Sequence, residues 1–501
     1  MSAVEASQGA QAHRLGPLRR LAAFACALAL GAVVAGCASD RIGFGAGTSP
    51  TLPASAPKVT GVEPLSAREH KKLVSNFGGE YRSPVAERLL NDVMKRVAGA
   101  TDRPDQQYQV TILNSPVVNA FALPSGNLYV TRGLLALAND TSEVAAVMAH
   151  EVAHVTLNHA MQRAELERRS EIVSRVVAEV LNDSDAQQVV QARGKLTLAS
   201  FSRAQELEAD QIGVRTIAKA GFDPFGAARF LASLGRQSSM RATMLGEKPN
   251  QGPNFLSTHP STPERVAQAL AAARQIRAPG IGETDRDHYL QAIAGMTFGD
   301  DPSEGVVRGN RFLHPQLGFA FSAPASFVLE NSSSAVLGLA PGGAQALRFD
   351  SVKMPDGMTL QSYIVSGWIE GVEVGPVESI TVNGLPAVTA VAKGDEWTFR
   401  LAAVQSGQST YRFILAAKNY TPDMDRQFRD AVESFHLMSS GESAAVKPLR
   451  IGLVTAQAGD TVETLAERMA TDRPVERFQL LNGIERNGPV RPGSTYKVIV
   501  E

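Results

Sequence analysis

The chain has 501 residues, of which 44% are hydrophobic and 20% are charged, and its formal net charge is −1. This length predicts about two to four domains, and the composition is that of a protein able to bury a sizeable core. Because the charge is near zero and no long run of like charges occurs, nothing in the sequence indicates binding to nucleic acid.

Residues 1–36 are predicted to be a lipoprotein signal peptide. A positive N-terminal region precedes an apolar stretch at residues 21–36 that is shorter than a membrane-spanning helix. The stretch leads into VAGC, which resembles a bacterial lipobox, so Cys37 is the expected lipidation site. Ala38 after it favours the outer membrane. The alternatives are a signal peptide that is cleaved without lipidation and an anchor that is not cleaved.

Residues 37–64 are rich in Gly, Ser, Thr, Ala and Pro, which predicts a flexible tether. Residues 65–278 then have the pattern of a mainly helical domain with a small sheet. A strand is predicted at 107–113, and two short strands surround a Pro-Ser-Gly turn within 119–131. Helices are predicted at 84–98, 142–157, 161–190 and 196–220.

The helix at 142–157 contains the sequence HEVAH. His150 and His154 are four residues apart, so both imidazoles lie on one face of the helix and can bind one metal ion. Glu151 lies beside them, where it can act as general base on a water molecule at that metal. This is the HExxH signature of zinc peptidases. The alternative is a helix that carries two coincidental histidines.

A catalytic zinc site usually has three protein ligands. His159 follows His154 by five residues, about 140° around a continuous helix, and this geometry disfavours it as the third ligand. Glu206 and Asp210, one helical turn apart in SRAQELEAD, are better candidates. Glu206 would bind zinc and Asp210 would accept a hydrogen bond from a ligand histidine. Glu208 is a rival ligand, and a solvated acidic helix face is the alternative for the whole segment.

Four motifs occur in the order that is typical of the HtpX and CAAX-prenyl-protease superfamily of gluzincins. They are NAF, HEVAH, SRAQELEAD and STHP, and the resemblance covers roughly residues 65–275. The chain is most similar to the soluble periplasmic branch of that superfamily. The segment that begins with Asn119, Ala120 and Phe121 would be an edge strand above the site, able to pair with an extended substrate backbone.

The resemblance also assigns roles to individual residues. Glu151 would be the catalytic base. His259 would approach the metal from a loop, where it either completes the coordination and switches the enzyme off or stabilises the oxyanion during catalysis. Arg265 would help to order this region. One zinc ion per chain is expected, bound by His150, His154 and Glu206.

The remaining chain has a different character. Residues 279–306 are Gly- and Asp-rich and are predicted to be a linker with one short helix. Residues 307–440 are predicted to be an α+β accessory domain that weakly resembles the PsbP/Mog1-type fold. Residues 450–501 carry GDTV, LNG and RPGS in a βααβ pattern that resembles a LysM module. Such a module would bind peptidoglycan, and a degenerate module kept for packing is the alternative.

The sequence therefore predicts a multidomain protein. It comprises a mainly α-helical zincin peptidase domain with a small sheet, an α+β domain and a βααβ LysM-like module. The expected function is a zinc endopeptidase of the bacterial cell envelope that cleaves unfolded or misassembled envelope proteins. It would face the periplasm, attached to the membrane through lipid on Cys37. The alternative is a latched lipoprotein that acts mainly as a chaperone or scaffold.

Overall fold

The structure is a computed structural model that describes residues 67–162, 201–246, 259, 263–369 and 371–501. The predicted signal peptide, the lipidation site Cys37 and the tether lie outside the described residues, as does most of the helix predicted at 161–190. Within the described ranges, no helix is long and apolar enough to cross a membrane.

A three-stranded sheet with the order β1-β3-β2 lies beside the helices of the N-terminal half. Strand β3 (Asn127–Thr131) is central, with β1 (Gln109–Leu113) parallel to it and β2 (Ala120–Ala122) antiparallel. Of the strands that the structure describes, only β3 pairs with β2. The second edge of β2 has no strand partner among the described residues.

The described part of the N-terminal 300 residues contains eight helices beside this sheet, and the helix at Thr141–Thr156 is buried over nearly its whole length. They are α1 (Ala67–Ser75), α2 (Pro84–Ala100), α3 (Arg132–Leu137), α4 (Thr141–Thr156), α5 (Arg203–Lys219), α6 (Gly226–Leu245), α7 (Pro263–Ile276) and α8 (Arg286–Ile293).

Helix α4 carries HEVAH and packs against α2, α5, α6 and β2. The carboxylate of Asp140 caps its first turn by accepting a hydrogen bond from the backbone N–H of Glu143 at 3.0 Å. A β-carbon on Gly226 of α6 would lie 2.6 Å from the Ser142 hydroxyl, so only glycine permits this close approach. Asn158, with φ of 56°, turns the chain away after the last turn of α4. These contacts place α4 in the middle of the core.

The accessory region contains two antiparallel sheets. The larger has eight strands in the order β11-β13-β14-β15-β10-β9-β8, with β12 on β13, and the smaller has the order β16-β7-β6-β5. The sequence pattern predicts strands at 319–321, 346–352, 379–382, 387–392, 398–404 and 411–417, and each lies within an observed strand. The strands are β5 (Val306–Arg308), β6 (Arg311–His314), β7 (Phe319–Ser322), β8 (Val328–Asn331), β9 (Val336–Leu339), β10 (Gln345–Val352), β11 (Glu373–Val374), β12 (Glu378–Val382), β13 (Leu385–Lys393), β14 (Thr398–Ser406), β15 (Ser409–Ala417) and β16 (His436–Leu437).

Three short helices belong to the same region. They are α9 (Leu360–Ile364), α10 (Pro422–Glu433) and α11 (Ser440–Ala445). Phenylalanines from both sheets and from α10 fill one apolar core, which is separate from the core around α4. The accessory region therefore has an apolar cluster of its own.

The C-terminal segment has the element order β17 (Leu449–Thr455), α12 (Val462–Ala466), α13 (Pro474–Leu481) and β18 (Thr495–Val500). Strands β17 and β18 are antiparallel, and β17 also pairs with β4 (Thr297–Phe298). Its apolar side chains, including Ile451 and Phe478, join the same core as those around α4. This segment is thus packed into the helical region rather than beside it.

The segment 279–306 differs from the predicted linker. Helix α8 and strand β4 are built into the core because their apolar side chains are buried. The Tyr289 hydroxyl donates a hydrogen bond to the Leu135 carbonyl at 2.6 Å, and Arg132 donates one to the Thr297 carbonyl at 2.6 Å. Contacts of this kind tie the segment to α3 over its whole length.

Candidate metal centre

Three helices and one loop residue bring buried polar side chains to a single point beneath β2. Helix α4 contributes two histidines and a glutamate, α5 two carboxylates, and α7 an arginine. None of these residues is more than 8% exposed. The set consists of His150, Glu151, His154, Glu206, Asp210, His259 and Arg265.

Four of these side chains present donor atoms to one another at metal-site spacing. Nε2 of His150 lies 3.0 Å from Nε2 of His154 and 3.3 Å from Nδ1 of His259. Oε1 of Glu206 lies 2.9 Å from Nδ1 of His259 and 3.5 Å from Nε2 of His154. A tetrahedral zinc ion with bonds of about 2.0–2.1 Å keeps its donors about 3.3–3.4 Å apart. The donor set therefore fits zinc.

The tautomers of the two helical histidines support the same conclusion. Nδ1 of His150 lies 3.0 Å from Oδ1 of Asp210, a carboxylate that can only accept, so this nitrogen carries the proton. Nδ1 of His154 lies 2.9 Å from Nδ1 of His159. If both Nε2 atoms, which lie 3.0 Å apart, bind one metal ion, Nδ1 of His154 must also carry its proton and donate a hydrogen bond to His159. The contacts behind both histidines are compatible with these tautomers.

The electrostatics favour the metal-binding forms of two donors, Glu206 and His154. Burial alone would raise the pKa of Glu206, but its close contacts with His154 and His259 hold the pKa below its usual range. Burial lowers the pKa of His154 to about 3, although Glu206 opposes this shift. For His150, burial would lower the pKa, but Asp210 and Glu206 raise it overall. An ionised Glu206 and a neutral His154 are the forms that bind a metal.

Glu151 lies at the edge of the cluster and is not one of the four donors. Burial raises its pKa above the usual range, and the nearby His259 opposes this shift. Its Oε1 lies 3.8 Å from Nε2 of His259 and makes no hydrogen bond to any described residue. A buried carboxylate with a raised pKa and a free oxygen is suited to accept a proton.

Arg265 holds the two carboxylates of α5. Its guanidinium donates two hydrogen bonds to Asp210, both at 2.7 Å, and its Nη1 lies 2.6 Å from Oε2 of Glu206. The sequence suggested that Arg265 orders the region of His259. In the structure, its contacts with Asp210 and Glu206 hold the Glu206 carboxylate so that Oε1 faces the histidines.

A groove of about 300 Å³ runs beside the cluster, between β2 and the end of α4. Asn119 precedes β2, and its backbone pairs with Thr131 of β3. Ala120 and Phe121 form β2 itself and, with Asn119, line the groove. The other lining residues include Glu151, His154, Val155, Met161, Phe201 and His259. Extended backbone bound along β2 would pass next to the donor set.

The spacing of five residues disfavours His159 as a ligand and does not predict its contact with His154. The offset of about 140° applies only to a continuous helix, whereas α4 ends at Thr156 and Asn158 adopts a left-handed conformation. This turn brings His159 back against His154. Glu208, the rival ligand, lies outside the cluster, with Oε2 3.6 Å from Nε2 of His159 and a side chain that is 56% exposed.

Two histidines one turn apart on a buried helix, joined by a glutamate from a second helix, define a zincin-type metallopeptidase site. Residues 84–273 match the family model described as Peptidase family M48, and this part of the chain is therefore an M48 peptidase domain. The metal of this class of metalloendopeptidase is zinc, and the buried cluster is able to hold it.

Curated relatives agree with this assignment. The beta-barrel assembly-enhancing protease of Escherichia coli (strain K12) is 30% identical over 216 residues, which are 41% of this chain and 42% of that protein. The mitochondrial metalloendopeptidase OMA1 of Schizosaccharomyces pombe is 28% identical over 199 residues, 39% of this chain and 56% of that protein. The chain spans about half the length of the curated relatives it matches.

Among solved structures, the solution structure of cyanobacterial PsbP from Synechocystis sp. PCC 6803 has a TM-score of 0.22 and 15% identity. It covers 26% of this chain and 95% of that one. A TM-score this low does not assign a fold to the accessory region.

Proposed function

We propose that this chain is a zinc-dependent endopeptidase of the bacterial cell envelope that cleaves unfolded or misassembled envelope proteins. One observation carries the proposal, namely four buried donor atoms at zinc spacing beside a carboxylate that has a free oxygen. The similarity to an Escherichia coli protease named for beta-barrel assembly supports the envelope as its compartment.

The lipid anchor at Cys37, the outer-membrane location and peptidoglycan binding by residues 450–501 rest on sequence patterns and are part of the proposal.

Glu151 would carry out the proton transfers. When bound, zinc supplies Lewis acidity at the peptide carbonyl. Oε1 of Glu151 accepts a proton from the attacking water and delivers it to the leaving nitrogen, so each cleaved bond consumes one water molecule. The raised pKa of Glu151 suits this exchange because its carboxylate is a stronger base than an exposed one.

The groove supports an extended substrate. Backbone amides of Ala120 to Ala122 can pair with a peptide added to the free edge of β2. Phe121, Met161 and Phe201 give the groove apolar walls. A peptide bond reaches Glu151 only when the segment around it is extended, which favours unfolded chains and loops over folded domains.

His259 would control access to the site. Its Nδ1 is one of the four donors, and a zinc site with four protein ligands is closed, whereas catalysis needs an open position. We therefore propose that this arrangement is a resting state from which His259 must withdraw. The same closed set supports a second candidate function, in which a latched lipoprotein acts mainly as a chaperone or scaffold.

The test compares wild type with Glu151→Gln and with Glu467→Gln, a matched change at an exposed glutamate. We expect Glu151→Gln to keep about one zinc per chain but to lose about 10²–10⁴-fold of its activity on unfolded casein. Glu467→Gln should match wild type. His259→Ala supplies the open form and should cleave faster than wild type.

Two results would contradict the proposal: wild-type protein that binds no zinc, or Glu151→Gln that cleaves as fast as wild type. Zinc binding with no cleavage by either wild type or His259→Ala would favour the chaperone or scaffold.

A further inference from the structure

The two histidines of HEVAH have different partners on the side away from the donor cluster. Behind His150 lies a carboxylate, with Nδ1 3.0 Å from Oδ1 of Asp210. Behind His154 lies another imidazole, with Nδ1 2.9 Å from Nδ1 of His159. A metal-binding histidine usually donates its second N–H to a carboxylate, a backbone carbonyl or water. The imidazole of His159 is therefore an unusual hydrogen-bond partner for a metal-binding histidine.

Only one proton arrangement allows His154 to bind a metal through Nε2. Its Nδ1 must then carry the proton and donate to His159, so Nδ1 of His159 must be the acceptor. The remaining proton of a neutral His159 lies on Nε2, which faces Oε2 of Glu208 at 3.6 Å. The reverse arrangement would place a proton on Nε2 of His154, where it would occupy the metal-binding lone pair.

The surroundings of His159 hold it in this orientation. The residue is 1% exposed, and the left-handed turn at Asn158 fixes its entry into the core. Phe201 stacks on the His154 ring with centroids 4.0 Å apart and lies 6.2 Å from the His159 ring. Neither imidazole can rotate freely in this packing, so the two Nδ1 atoms stay in contact, and metal binding at Nε2 then selects the tautomer of His154.

We infer that His159 is a positioning residue for zinc. Its Nδ1 accepts a hydrogen bond from Nδ1–H of His154 and so keeps Nε2 of that ligand available, and Glu208 lies 3.6 Å from Nε2 of His159 on the other side of the ring. The inference rests on the proposed zinc site. A neutral acceptor behind His154 also leaves more positive charge on the metal than a second carboxylate would. The hydrogen-bond partner of ligand His150 is thus the charged carboxylate of Asp210, whereas the partner of ligand His154 is the neutral imidazole of His159.

Two variants separate positioning from packing. His159→Asn retains an acceptor, because Oδ1 of asparagine can take the place of Nδ1, whereas His159→Leu has similar bulk and no acceptor. We expect His159→Leu to weaken zinc affinity by about 10–100-fold, measured by competition with a chromophoric chelator, and His159→Asn to recover most of the loss. At saturating zinc, His159→Leu should lower kcat on casein with little change in KM.

His288→Leu, at a histidine whose side chain is 60% exposed, is the matched control and should behave like wild type. Glu208→Gln should produce a smaller loss than His159→Leu, since its side chain is half exposed. The visible spectrum of cobalt-loaded protein should change in His159→Leu and not in His288→Leu.

Wild-type zinc affinity in His159→Leu would overturn the inference. Equal losses in His159→Leu and His159→Asn, accompanied by equal drops in Tm, would assign His159 to packing alone. Absence of zinc from the wild-type protein would instead refute the proposed function, so the two failures can be told apart.

Discussion

Helix α4 has a buried charged network at each end, and the two networks differ in what completes them. At the N-terminal end, Arg229 contacts Asp140 at 2.9 Å and Asp223 at 2.6 Å, and its Nε lies 3.4 Å from Glu143. One arginine thus contacts three carboxylates there. At the C-terminal end, histidine nitrogens and a carboxylate oxygen converge on one point at which a metal cation can bind.

The same N-terminal network extends into the C-terminal segment. Lys497 of β18 is fully buried, and its ammonium donates hydrogen bonds to the carbonyls of Ala136 at 2.7 Å and Ala138 at 2.6 Å. These carbonyls lie at the end of α3, immediately before α4. Buried charge thus occurs at both ends of the helix. What distinguishes the candidate active site is that three imidazole nitrogens and one carboxylate oxygen lie around one point at metal-binding spacing.

The largest expected effect comes from removing the convergent donors. The double variant His150→Leu and His154→Leu should bind no zinc and should not cleave casein. Zinc at about 100 times its Kd should stabilise wild type by about 2.7 kcal/mol, and this shift should vanish in the variant. Thermal unfolding with zinc and with a chelator measures the difference. A variant that zinc still stabilises to the wild-type extent would show that the metal binds elsewhere.

An intermediate effect is expected at the other end of the helix. Lys497→Met keeps the length of the side chain but leaves the carbonyls of Ala136 and Ala138 without their donor. We expect the free energy of unfolding to fall by about 1–3 kcal/mol, measured in urea, while the folded fraction retains its zinc. Lys447→Met, at a lysine outside the core, is the control. If zinc is lost from folded Lys497→Met, the two networks are not independent.

These two networks also mark what a sequence can predict. Spacings of four residues placed His150 with His154, and Glu206 with Asp210, on common helical faces, and the structure brings all four together. Short-range periodicity is sufficient for such pairs because a helix fixes their geometry. The position of His159 cannot be predicted from helical spacing in the same way, because the helix ends before this residue. A left-handed residue such as Asn158 cannot be foreseen from apolar spacing.

The contacts of Lys497, in contrast, cannot be predicted from short-range spacing. It contacts residues about 360 positions earlier in the chain, and no local pattern links them. The βααβ order of its segment was predicted, whereas its shared core with the helical region was not. Local patterns define elements, and the burial of apolar faces between distant elements decides which ones share a core.

The smallest expected effect is a pH dependence of stability that arises from Glu143, at the N-terminal end of α4, and not from the metal-binding end. Burial, together with the neighbouring Asp140, raises the pKa of Glu143 to about 7, well above its ordinary value. The folded protein then binds more protons than the unfolded chain between these two values. The contribution of this group to stability is therefore fully present below the ordinary pKa and is lost as pH rises through the raised one. Acidification from pH 8 to pH 5 should strengthen this end of α4.

Glu143→Gln should flatten that dependence between pH 5 and pH 8, because a glutamine side chain does not titrate. Urea unfolding of chelator-treated protein at both pH values measures it and removes any effect of zinc. The histidine double variant should keep the wild-type slope, because Glu143 lies two helical turns from His150. If the double variant loses the slope and Glu143→Gln retains it, the pH dependence belongs to the metal-binding end of the helix.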